Sequence, residues 1–420
     1  MNAKAAAVQR TYLLLTLLST MAASLIWGVN TLFLLDAGLN NTQAFAANAF
    51  FTAGQVLFEI PTGVLADTWG RRRSYLLGAG TLLVSTLLYL FMWQSKAPLL
   101  GWAVASVLIG LGFTFFSGAT EAWLVDALDA SGYKGTLESV FARGQIVSGV
   151  AMLTGSVSGG LIAQVTNLGV PYIIRSVLLG ITLVAAFVLM KDMGFTPARG
   201  KGLVQEIRQV ISSSLDSGWR NPPVRWVMLS APFSMGVLIY AFYALQPYLL
   251  ELYGDKSAYW VAGLSAAIIA TTSILGGLMV TRLRLLLRRR TTALIVATSV
   301  SIASLAILGM TSSFWIAISV LVLWGMAFAA STPVRQAYIN GLIPSAQRAT
   351  VLSFDNLMNS AGGVVAQPVL GRVADVAGYA RSYVVCAVVQ LVALPFLILA
   401  RREKASSDPT DSTPAKTSPV

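Results

Sequence analysis

Apolar stretches long enough to cross a lipid bilayer recur twelve times along this 420-residue chain. A hydrocarbon core about 30 Å thick needs about 20 helical residues at a rise of 1.5 Å each. Only 11% of the residues are charged, whereas soluble domains use about 25%. The sequence therefore predicts an all-α membrane protein with twelve transmembrane helices, and it excludes a soluble enzyme. We number the stretches spans 1 to 12, at residues 11–35, 43–66, 74–93, 99–125, 141–165, 171–190, 226–250, 259–281, 291–311, 314–340, 350–374 and 379–400.

The longest polar interruption, residues 191–225, divides the chain into two bundles of six helices. The N-terminal bundle covers residues 1–190 and the C-terminal bundle covers residues 226–400. The interruption is predicted to be a cytoplasmic linker with a short amphipathic helix on the membrane face, because apolar residues recur in it at helical spacing. These residues are Leu203, Ile207, Val210, Ile211 and Leu215. Residues 401–420 are rich in Ser, Pro, Thr and Lys, and they are predicted to be a disordered cytoplasmic tail.

The basic residues predict the orientation in the membrane. If the N-terminus is cytoplasmic, 23 of the 29 Lys and Arg residues lie at or within a helical turn of that face. Arg175 and Arg335 lie inside spans, and the opposite face keeps Lys96, Lys256, Arg372 and Arg381. This asymmetry predicts that both termini are cytoplasmic, in a plasma membrane or a bacterial inner membrane. The net charge of +12 therefore reflects topology and does not indicate a nucleic-acid partner.

Two residue types are nearly absent, and this limits the chemistry. The chain has no histidine, and its one cysteine is Cys386. Cys/His metal sites, Cys/His catalysis and disulfides within the chain are therefore excluded. There is also no Walker A loop, so we expect neither an enzyme nor a bound cofactor or metal. A proton carried near neutral pH must use a carboxyl group, because no imidazole is available.

The two halves of the sequence resemble each other. Residues 155–169 at the end of span 5 align with residues 367–378 at the end of span 11 after a shift of 212 positions. An arginine-rich turn follows span 2, and another follows span 8 in the segment that starts at Gly276. The shift is close to half of the chain length, which indicates a duplicated six-helix unit. Such repeats place a substrate site between the halves near the middle of the membrane.

The strongest motif is GVLADTWGRRR between spans 2 and 3. It resembles the signature G-x-L-A-D-x-x-G-R-R of the major facilitator superfamily, matched at Gly63, Leu65, Ala66, Asp67, Gly70, Arg71 and Arg72. The resemblance implies two pseudo-symmetric six-helix bundles. It also implies a gating latch of Asp67 and Arg71, in which the Asp67 carboxylate meets the start of span 11 near Pro344 and Asp126 joins the network. The other residues assigned to this latch are Gly63, Gly70, Arg72 and Arg143. The alternative is that these arginines only anchor the topology.

A second, partial match lies in span 5. GSVSGG places Gly155, Gly159 and Gly160 in register with the G-P-x-x-G-G element of proton-driven drug exporters of this superfamily, with Ser156 in place of the proline. The alternative is that these small residues only pack helices. Many members also carry an arginine in span 4 where this chain has Ser106, so a coupling scheme that needs this arginine does not transfer.

Carboxyl groups inside the spans are the proton-coupling candidates, because ionisable groups are costly in a membrane. They are Glu121, Glu59 and Asp355. A carboxyl group that leaves water favours its neutral form, as a proton carrier requires. Glu121 is preferred, because the resemblance implies that spans 1, 4, 7 and 10 line the cavity. The alternatives are a structural pair between Glu121 and Arg143, an interface role for Glu59, and a gate or helix-end role for Asp355.

Arg335 is the one cation in a span that the resemblance predicts to line the cavity. It binds an anionic substrate, neutralises Glu121 across the halves, or extends to the cytoplasmic surface. Other candidates for the substrate cavity combine aromatic faces with hydrogen-bonding groups. They are Trp27, Asn30, Tyr240, Tyr243, Gln246 and Trp324. The alternative for each is packing or a place at the membrane interface.

The resemblance favours one function above the others. The chain looks like a proton antiporter that exports small amphiphilic compounds such as drugs by alternating access. An uptake carrier for a nutrient, working as a symporter or facilitator, shares every fold-level feature. A membrane receptor or scaffold without transport is the alternative from another class. The expected partners are membrane lipid, a small-molecule substrate and protons, and we expect a functional monomer.

Overall fold

The computed structural model describes residues 3–116, 119–195, 219–343 and 348–409. Over these residues the regular elements are helices, and the only β feature is a bridge between Arg289 and Pro409. Each predicted span corresponds to helix. The helices of the first half are Ala3–Trp27 and Asn30–Asp36 (span 1), Asn41–Trp69 (span 2), Arg71–Ser95 (span 3), Leu99–Phe116 and Ala119–Ala130 (span 4), Leu137–Val165 (span 5) and Val170–Leu189 (span 6).

The second half continues the same pattern. Its helices are Pro222–Tyr253 (span 7), Tyr259–Leu286 (span 8), Arg290–Met310 (span 9), Phe314–Asn340 (span 10), Arg348–Leu391 (spans 11 and 12) and Ala393–Arg402 (the end of span 12). Gly378 has non-helical angles, φ 85° and ψ 164°, and separates span 11 from span 12. Ten helices within the described residues are long and apolar enough to cross a membrane. Spans 11 and 12 count as one of these, and span 8 is represented only by a shorter apolar helix, Tyr259–Thr272. The all-α transmembrane prediction is confirmed.

Span 1 differs from the single apolar stretch that the sequence predicts. Its first helix ends at Trp27, and a second helix begins at Asn30. Val29 between them has φ −125° and ψ 0°, outside the helical region. The hydropathy of this stretch is continuous, so the break could not be seen in the apolar pattern.

Contacts divide the described residues into two bodies. The first body contains spans 1 to 6 together with Phe242–Ala270 and Gln367–Asp375. The second body contains residues 219–241, the described part of Thr271–Ala366, and residues 376–409. The sequence places the division at residues 191–225, whereas the first body takes in parts of spans 7, 8 and 11. In the first body, we call the end with the Gly63–Arg73 turn the motif end and the opposite one the far end.

Each body has its own buried core. The first includes Tyr12, Tyr75 and Trp123, and the second includes Val227 and Tyr338. Many large apolar side chains are instead exposed, which suits helices that face lipid rather than water. Examples are Leu57, Phe91, Val104, Ile146 and Phe187.

Two predictions about the connecting segments have different outcomes. The amphipathic helix predicted around Leu203–Leu215 lies outside the described residues. The tail from Arg401 is predicted to be disordered, but the structure describes it as far as Pro409. The backbone N–H of Thr291 donates to Asp408 Oδ1 at 2.8 Å, and the Ser407 hydroxyl donates to the Tyr338 carbonyl at 2.9 Å. The start of the tail therefore caps span 9, because the first amides of a helix need acceptors.

Candidate functional site

A cavity of about 460 Å³ lies within the second body. We call it the large cavity. Spans 7, 9, 10, 11 and 12 contribute to its wall, and many of the side chains are neutral hydrogen-bonding groups. They include Ser230, Thr298, Ser331, Gln336, Asn356 and Gln390. A cavity of this size can hold a compact organic molecule.

An ion pair stands on the wall of the large cavity. The guanidinium of Arg335 on span 10 donates to both carboxylate oxygens of Asp355 on span 11, at 2.5 and 2.6 Å. Asn359 lies one turn further along span 11, and its Nδ2 is 3.4 Å from Asp355 Oδ2. Asp355 is only 3% exposed. A two-pronged pair of this kind is strong and geometrically specific.

The sequence missed this pairing, although it named both residues. The three roles considered for Arg335 were substrate binding, a pair with Glu121 and extension to the surface. The partner in the structure is Asp355, twenty positions away and on the next span. Opposite charges within neighbouring spans were the available signal, because charges inside a membrane protein generally pair.

Two aromatic candidates from the sequence have different places in the second body. Trp324 lines the large cavity, and its Nε1 donates to the Ser301 hydroxyl at 3.0 Å. Tyr240 is fully buried, and its hydroxyl donates to Ser382 Oγ at 2.7 Å. Tyr240 therefore packs helices and is not among the residues that line the large cavity, which fits the packing alternative for that residue.

A second cavity of about 40 Å³ lies within the first body. We call it the small cavity. Three residues that the sequence proposed as cavity contacts line it, namely Trp27, Asn30 and Tyr243. Gln246 lies beside the break in span 1. Its Nε2 donates to the Trp27 carbonyl at 2.7 Å, and its Oε1 accepts from the Thr31 N–H at 2.8 Å. Gln246 thus satisfies backbone groups that the break leaves unpaired.

Arg175 also lines the small cavity. The sequence placed it inside span 6 without giving it a role. It is 1% exposed, its Nε donates to Thr86 Oγ1 at 3.0 Å, and its Nη1 donates to the Ala22 carbonyl at 3.3 Å. An intramembrane cation is by itself a signal for a site, and that signal applied to Arg175 as much as to Arg335.

Glu59 and Glu121, the other two proton-coupling candidates, are exposed. Neither lines the large cavity or the small cavity. Arg143 is exposed as well, and among the described side chains no ion pair joins it to Glu121. The structural pair offered as the alternative role for Glu121 is therefore not formed.

The motif between spans 2 and 3 forms a charged cluster at the motif end. Arg71 pairs with Asp67 one turn before it, and its Nε lies 3.9 Å from Asp126 Oδ2. The expected partner at the start of span 11, near Pro344, lies outside the described residues. A Cβ added at Gly63 would meet no described atom within 4 Å, so the described residues supply no close helix approach there.

The sequence missed a further acidic residue at this turn. Asp192 follows span 6, and its Oδ1 accepts from the Arg72 N–H at 2.9 Å. Arg72 also donates from Nη2 to the Phe187 carbonyl at 2.7 Å. Gly70, which has φ +108°, permits the sharp turn between the spans, and a Cβ there would lie 2.8 Å from Asp192 Oδ2. Arg72 and Asp192 therefore fix the start of span 3 to the end of span 6.

The three glycines of the span 5 element all lie at close helix contacts. Added Cβ atoms at Gly155 and Gly159 would collide with Ser24 and with the Leu25 carbonyl of span 1. A Cβ at Gly160 would lie 2.8 Å from the Cα of Gly263 on span 8. The contacts fit the packing interpretation of this element, which needs small residues where helix backbones approach.

A carboxylate joins spans 2 and 11 at the far end. Asp375 accepts from the N–H groups of Asn41 and Thr42 at 2.9 and 2.8 Å, and from the Thr42 hydroxyl at 2.5 Å. Gly371, Ala374, Asp375 and Gly378 repeat the spacing of Gly63, Ala66, Asp67 and Gly70. Gly378 (φ 85°, ψ 164°) and Gly70 (φ 108°, ψ 146°) also share a backbone conformation. The far end therefore carries a copy of the motif whose carboxylate is bound to a helix start.

Comparisons with known proteins give one family. The family model described as Major Facilitator Superfamily matches residues 12–363 and 258–420. No curated protein sequence matches the chain.

Several solved structures are similar to this chain. The nucleoside transporter NupG has a TM-score of 0.78 at 11% identity, covering 93% of this chain and 98% of that chain. A bacterial homolog of the human lysosomal transporter Spinster has a TM-score of 0.71 at 15% identity, covering 99% and 100%. A POT family transporter in complex with 5-aminolevulinic acid has a TM-score of 0.69 at 13% identity, covering 94% and 96%. At these identities the likeness shows a shared fold alone.

Proposed function

Because the chain belongs to the Major Facilitator Superfamily, a family of membrane transporters, we propose that it is a proton-coupled secondary transporter of compact, hydrogen-bonding organic solutes. Family membership makes the chain a transporter and not an enzyme. The proposal concerns the kind of solute, the coupling ion and the residues that carry them. The transport cycle is alternating access, in which the site opens to one side of the membrane at a time.

The lining of the large cavity supports the kind of solute. Hydroxyl and amide side chains outnumber the charged ones on its wall, and such groups recognise sugars, nucleosides, amides or alcohols through hydrogen bonds. The similar structures named above are those of a nucleoside transporter and of a transporter bound to 5-aminolevulinic acid. A nucleoside and 5-aminolevulinic acid are both polar organic molecules, which supports this kind of solute.

The Arg335–Asp355 pair carries the proposal of proton coupling. Asp355 is buried and receives both prongs of the guanidinium. Proton binding to Asp355 removes its negative charge, so the pair loses its electrostatic attraction and Arg335 becomes available to an acceptor on the solute. When the proton leaves, Asp355 takes Arg335 back and the solute loses its partner. The Asp355 carboxylate and the solute thereby alternate in their use of Arg335.

Efflux of small amphiphilic compounds is the second candidate function. Trp324 and Phe328 line the same cavity and offer aromatic faces to such a ligand. An uptake carrier would bind its solute in the same cavity but move it into the cell instead of out of it. The sign of the linked proton and solute fluxes distinguishes an antiporter from a symporter.

The test is transport by the full chain in liposomes that contain a pH-sensitive dye, with a panel of polar and amphiphilic solutes. Asp355→Asn is expected to retain solute exchange at zero pH gradient and to lose proton-linked accumulation at least about tenfold, because Asn keeps the size and lacks the proton site. Glu121→Gln and Glu59→Gln are the matched controls and are expected to keep coupling. Normal coupling in Asp355→Asn would remove Asp355 from the mechanism, and loss of coupling in Glu121→Gln would restore the prediction from the sequence.

We further propose that the protein is a monomer in a plasma membrane or bacterial inner membrane with both termini in the cytoplasm. The distribution of the basic residues supports this orientation. Cys386, the one native cysteine, is fully buried, so a thiol reagent should label introduced cysteines without a background from Cys386. In intact cells an impermeant maleimide is expected to label Lys96→Cys and to leave Lys404→Cys unlabelled. The reverse pattern would contradict the orientation.

A further inference from the structure

Arg175 is a buried cation without an acidic partner among the described residues. Its Nε and Nη1 donate to Thr86 Oγ1 and to the Ala22 carbonyl, and its guanidinium lies 6.0 Å from the centre of the Phe113 ring. No described carboxylate lies within 4.0 Å of it. Neutral partners offset only part of the cost of removing a full charge from water.

The small cavity beside Arg175 offers the space that a missing anion would fill. Its volume of about 40 Å³ exceeds the roughly 10–15 Å³ that one water molecule needs by the same kind of measure. It is therefore large enough for a chloride ion or a carboxylate group. The residues that line it include one basic side chain, Arg175, and no acidic one. An anion in this cavity would meet a positive potential in a medium that screens it weakly.

An orphan amide donor lies on the same wall. The Tyr172 hydroxyl donates to Asn30 Oδ1 at 2.8 Å, and Asn30 Nδ2 donates to Asn48 Oδ1 at 2.9 Å. This chain of bonds leaves Asn48 Nδ2 as its free donor, and that atom is buried without a partner in the structure. Asn48 is 4% exposed. Buried polar groups are nearly always hydrogen-bonded, so the unsatisfied Asn48 amide also points to an acceptor that occupies the cavity.

The break in span 1 adds to this arrangement. Trp27 and Asn30, the residues on either side of the break, both line the small cavity. Transporters often interrupt a helix where a ligand binds, because irregular backbone is tolerated where it borders a cavity. Tyr243 on span 7 lines the same cavity, and the structure gives its hydroxyl no hydrogen-bond partner among the described residues.

We propose that the small cavity is a binding site for a compact monovalent anion held by Arg175 and the Asn48 amide. The anion is a carboxylate group of the transported solute or a free inorganic anion such as chloride. Identification of the anion as a solute carboxylate rests on the proposed transport function, whereas identification as a free inorganic anion does not. The site is separate from the Arg335–Asp355 pair, because all of its lining residues belong to the first body.

The first test measures thermal unfolding of the purified full chain at constant ionic strength in sodium chloride, in sodium acetate, and in the sodium salt of the bulky sulfonate buffer MES. An anion at about five times its Kd is expected to raise the melting temperature by about 1 °C relative to MES. Arg175→Gln is expected to lose this shift. Lys256→Gln, which removes an exposed positive charge, is the matched control and is expected to keep it.

Asn48→Asp keeps the test decisive if Arg175→Gln does not fold. The new carboxylate is nearly the same size as the amide and lies on the same wall as Arg175, so it supplies an internal counter-ion. We expect this variant to unfold at a higher temperature than the wild type in MES and to show no further response to chloride or acetate. An anion response in Asn48→Asp as large as that of the wild type would overturn the proposal. The same conclusion follows if the wild type does not respond, or if Arg175→Gln folds and keeps the full response.

The second test separates the two sources of the anion. In liposomes the wild type is expected to prefer a monocarboxylate over its methyl ester by about 10- to 100-fold, the value of a charged hydrogen-bonded contact. Asn48→Asp is expected to lose this preference. A response to acetate with this preference identifies the solute carboxylate, and a chloride response without it identifies the inorganic anion. A chain that moves no solute but keeps the Arg175-dependent shift refutes the proposed function and leaves the anion site standing.

Discussion

Replacing Asp375 by Asn is expected to open the far end of the first body. Span 2 already has its own cap, because Asn40 accepts from the Gln43 N–H and the Gln43 side chain accepts from the Asn40 N–H. The bonds from Asn41 and Thr42 to Asp375 are therefore not needed to form the helix. They join span 11 to span 2, so the substitution should weaken this junction and leave span 2 intact.

The magnitude follows from the three bonds that Asp375 accepts. Hydrogen bonds to a charged group contribute about 1.5–3 kcal/mol each, against about 0.5–1.5 kcal/mol for neutral ones. Asn at position 375 has no negative charge. Its side-chain NH2 group replaces one of the two acceptor oxygens and faces an N–H or O–H donor of Asn41 or Thr42. Asp375 is half-buried, so water compensates part of the loss, and we expect a net cost of about 1–2 kcal/mol. That cost changes the ratio of closed to open far ends by a factor of about 5 to 30.

The assay is a distance measurement between spin labels at Gln94→Cys and Arg372→Cys, two exposed positions of the first body, the second of them on span 11. Asp375→Asn is expected to increase the population with the longer distance. Asp255→Asn is the matched control, because the described hydrogen bonds of the Asp255 carboxylate come from Ser257 in its own loop. Those bonds hold the pKa of Asp255 below its ordinary value, so the control removes a similar charge. Distance distributions that coincide for Asp375→Asn and the wild type would refute the reasoning.

Two further substitutions test the packing of each body by thermal unfolding. Gly263→Ala is expected to lower the melting temperature, because its Cβ would lie 3.0 Å from the Cα of Gly160 and 2.9 Å from a backbone carbonyl. Gly180→Ala is the control, because its Cβ would meet nothing within 4 Å. This substitution should be neutral or should stabilise the protein by up to about 1 kcal/mol. Equal changes in melting temperature for Gly263→Ala and Gly180→Ala would contradict the packing argument. Asp408→Ala should cost about 0.5–2 kcal/mol through loss of the cap on Thr291, and unchanged unfolding would show that the start of the tail does not stabilise span 9.

Local patterns predicted the fold well because their causes are local. A helix that crosses lipid must satisfy its own backbone and present apolar side chains over its length, so hydropathy alone located the spans. The glycine and aspartate of the Gly63–Arg73 motif have backbone and charge requirements that are visible in a single turn. The same local view could not locate the break at Val29, because no apolar residue is missing there.

The candidate sites depend on which helices become neighbours. Arg335 and Asp355 were both recognised as costly intramembrane charges, but their pairing depends on how span 10 faces span 11. Arg175 lies on span 6, outside the spans 1, 4, 7 and 10 that the resemblance predicts to line the cavity. Tyr240 and Tyr243 are three residues apart on one helix, yet one packs and the other borders a cavity. The direction in which each side chain points after the helices pack is not encoded in composition or spacing.

The sequence by itself determined that this chain is a twelve-span membrane protein of the major facilitator type, because span length, charge distribution and one short motif are properties of contiguous residues. Only the tertiary structure decided that Asp355 binds Arg335, that Arg175 borders a cavity with no acidic partner among the described residues, and that Asp375 holds the start of span 2. Each of these contacts joins residues that are far apart in the chain or on different spans. Their existence depends on helix rotation and crossing, which many side chains determine together.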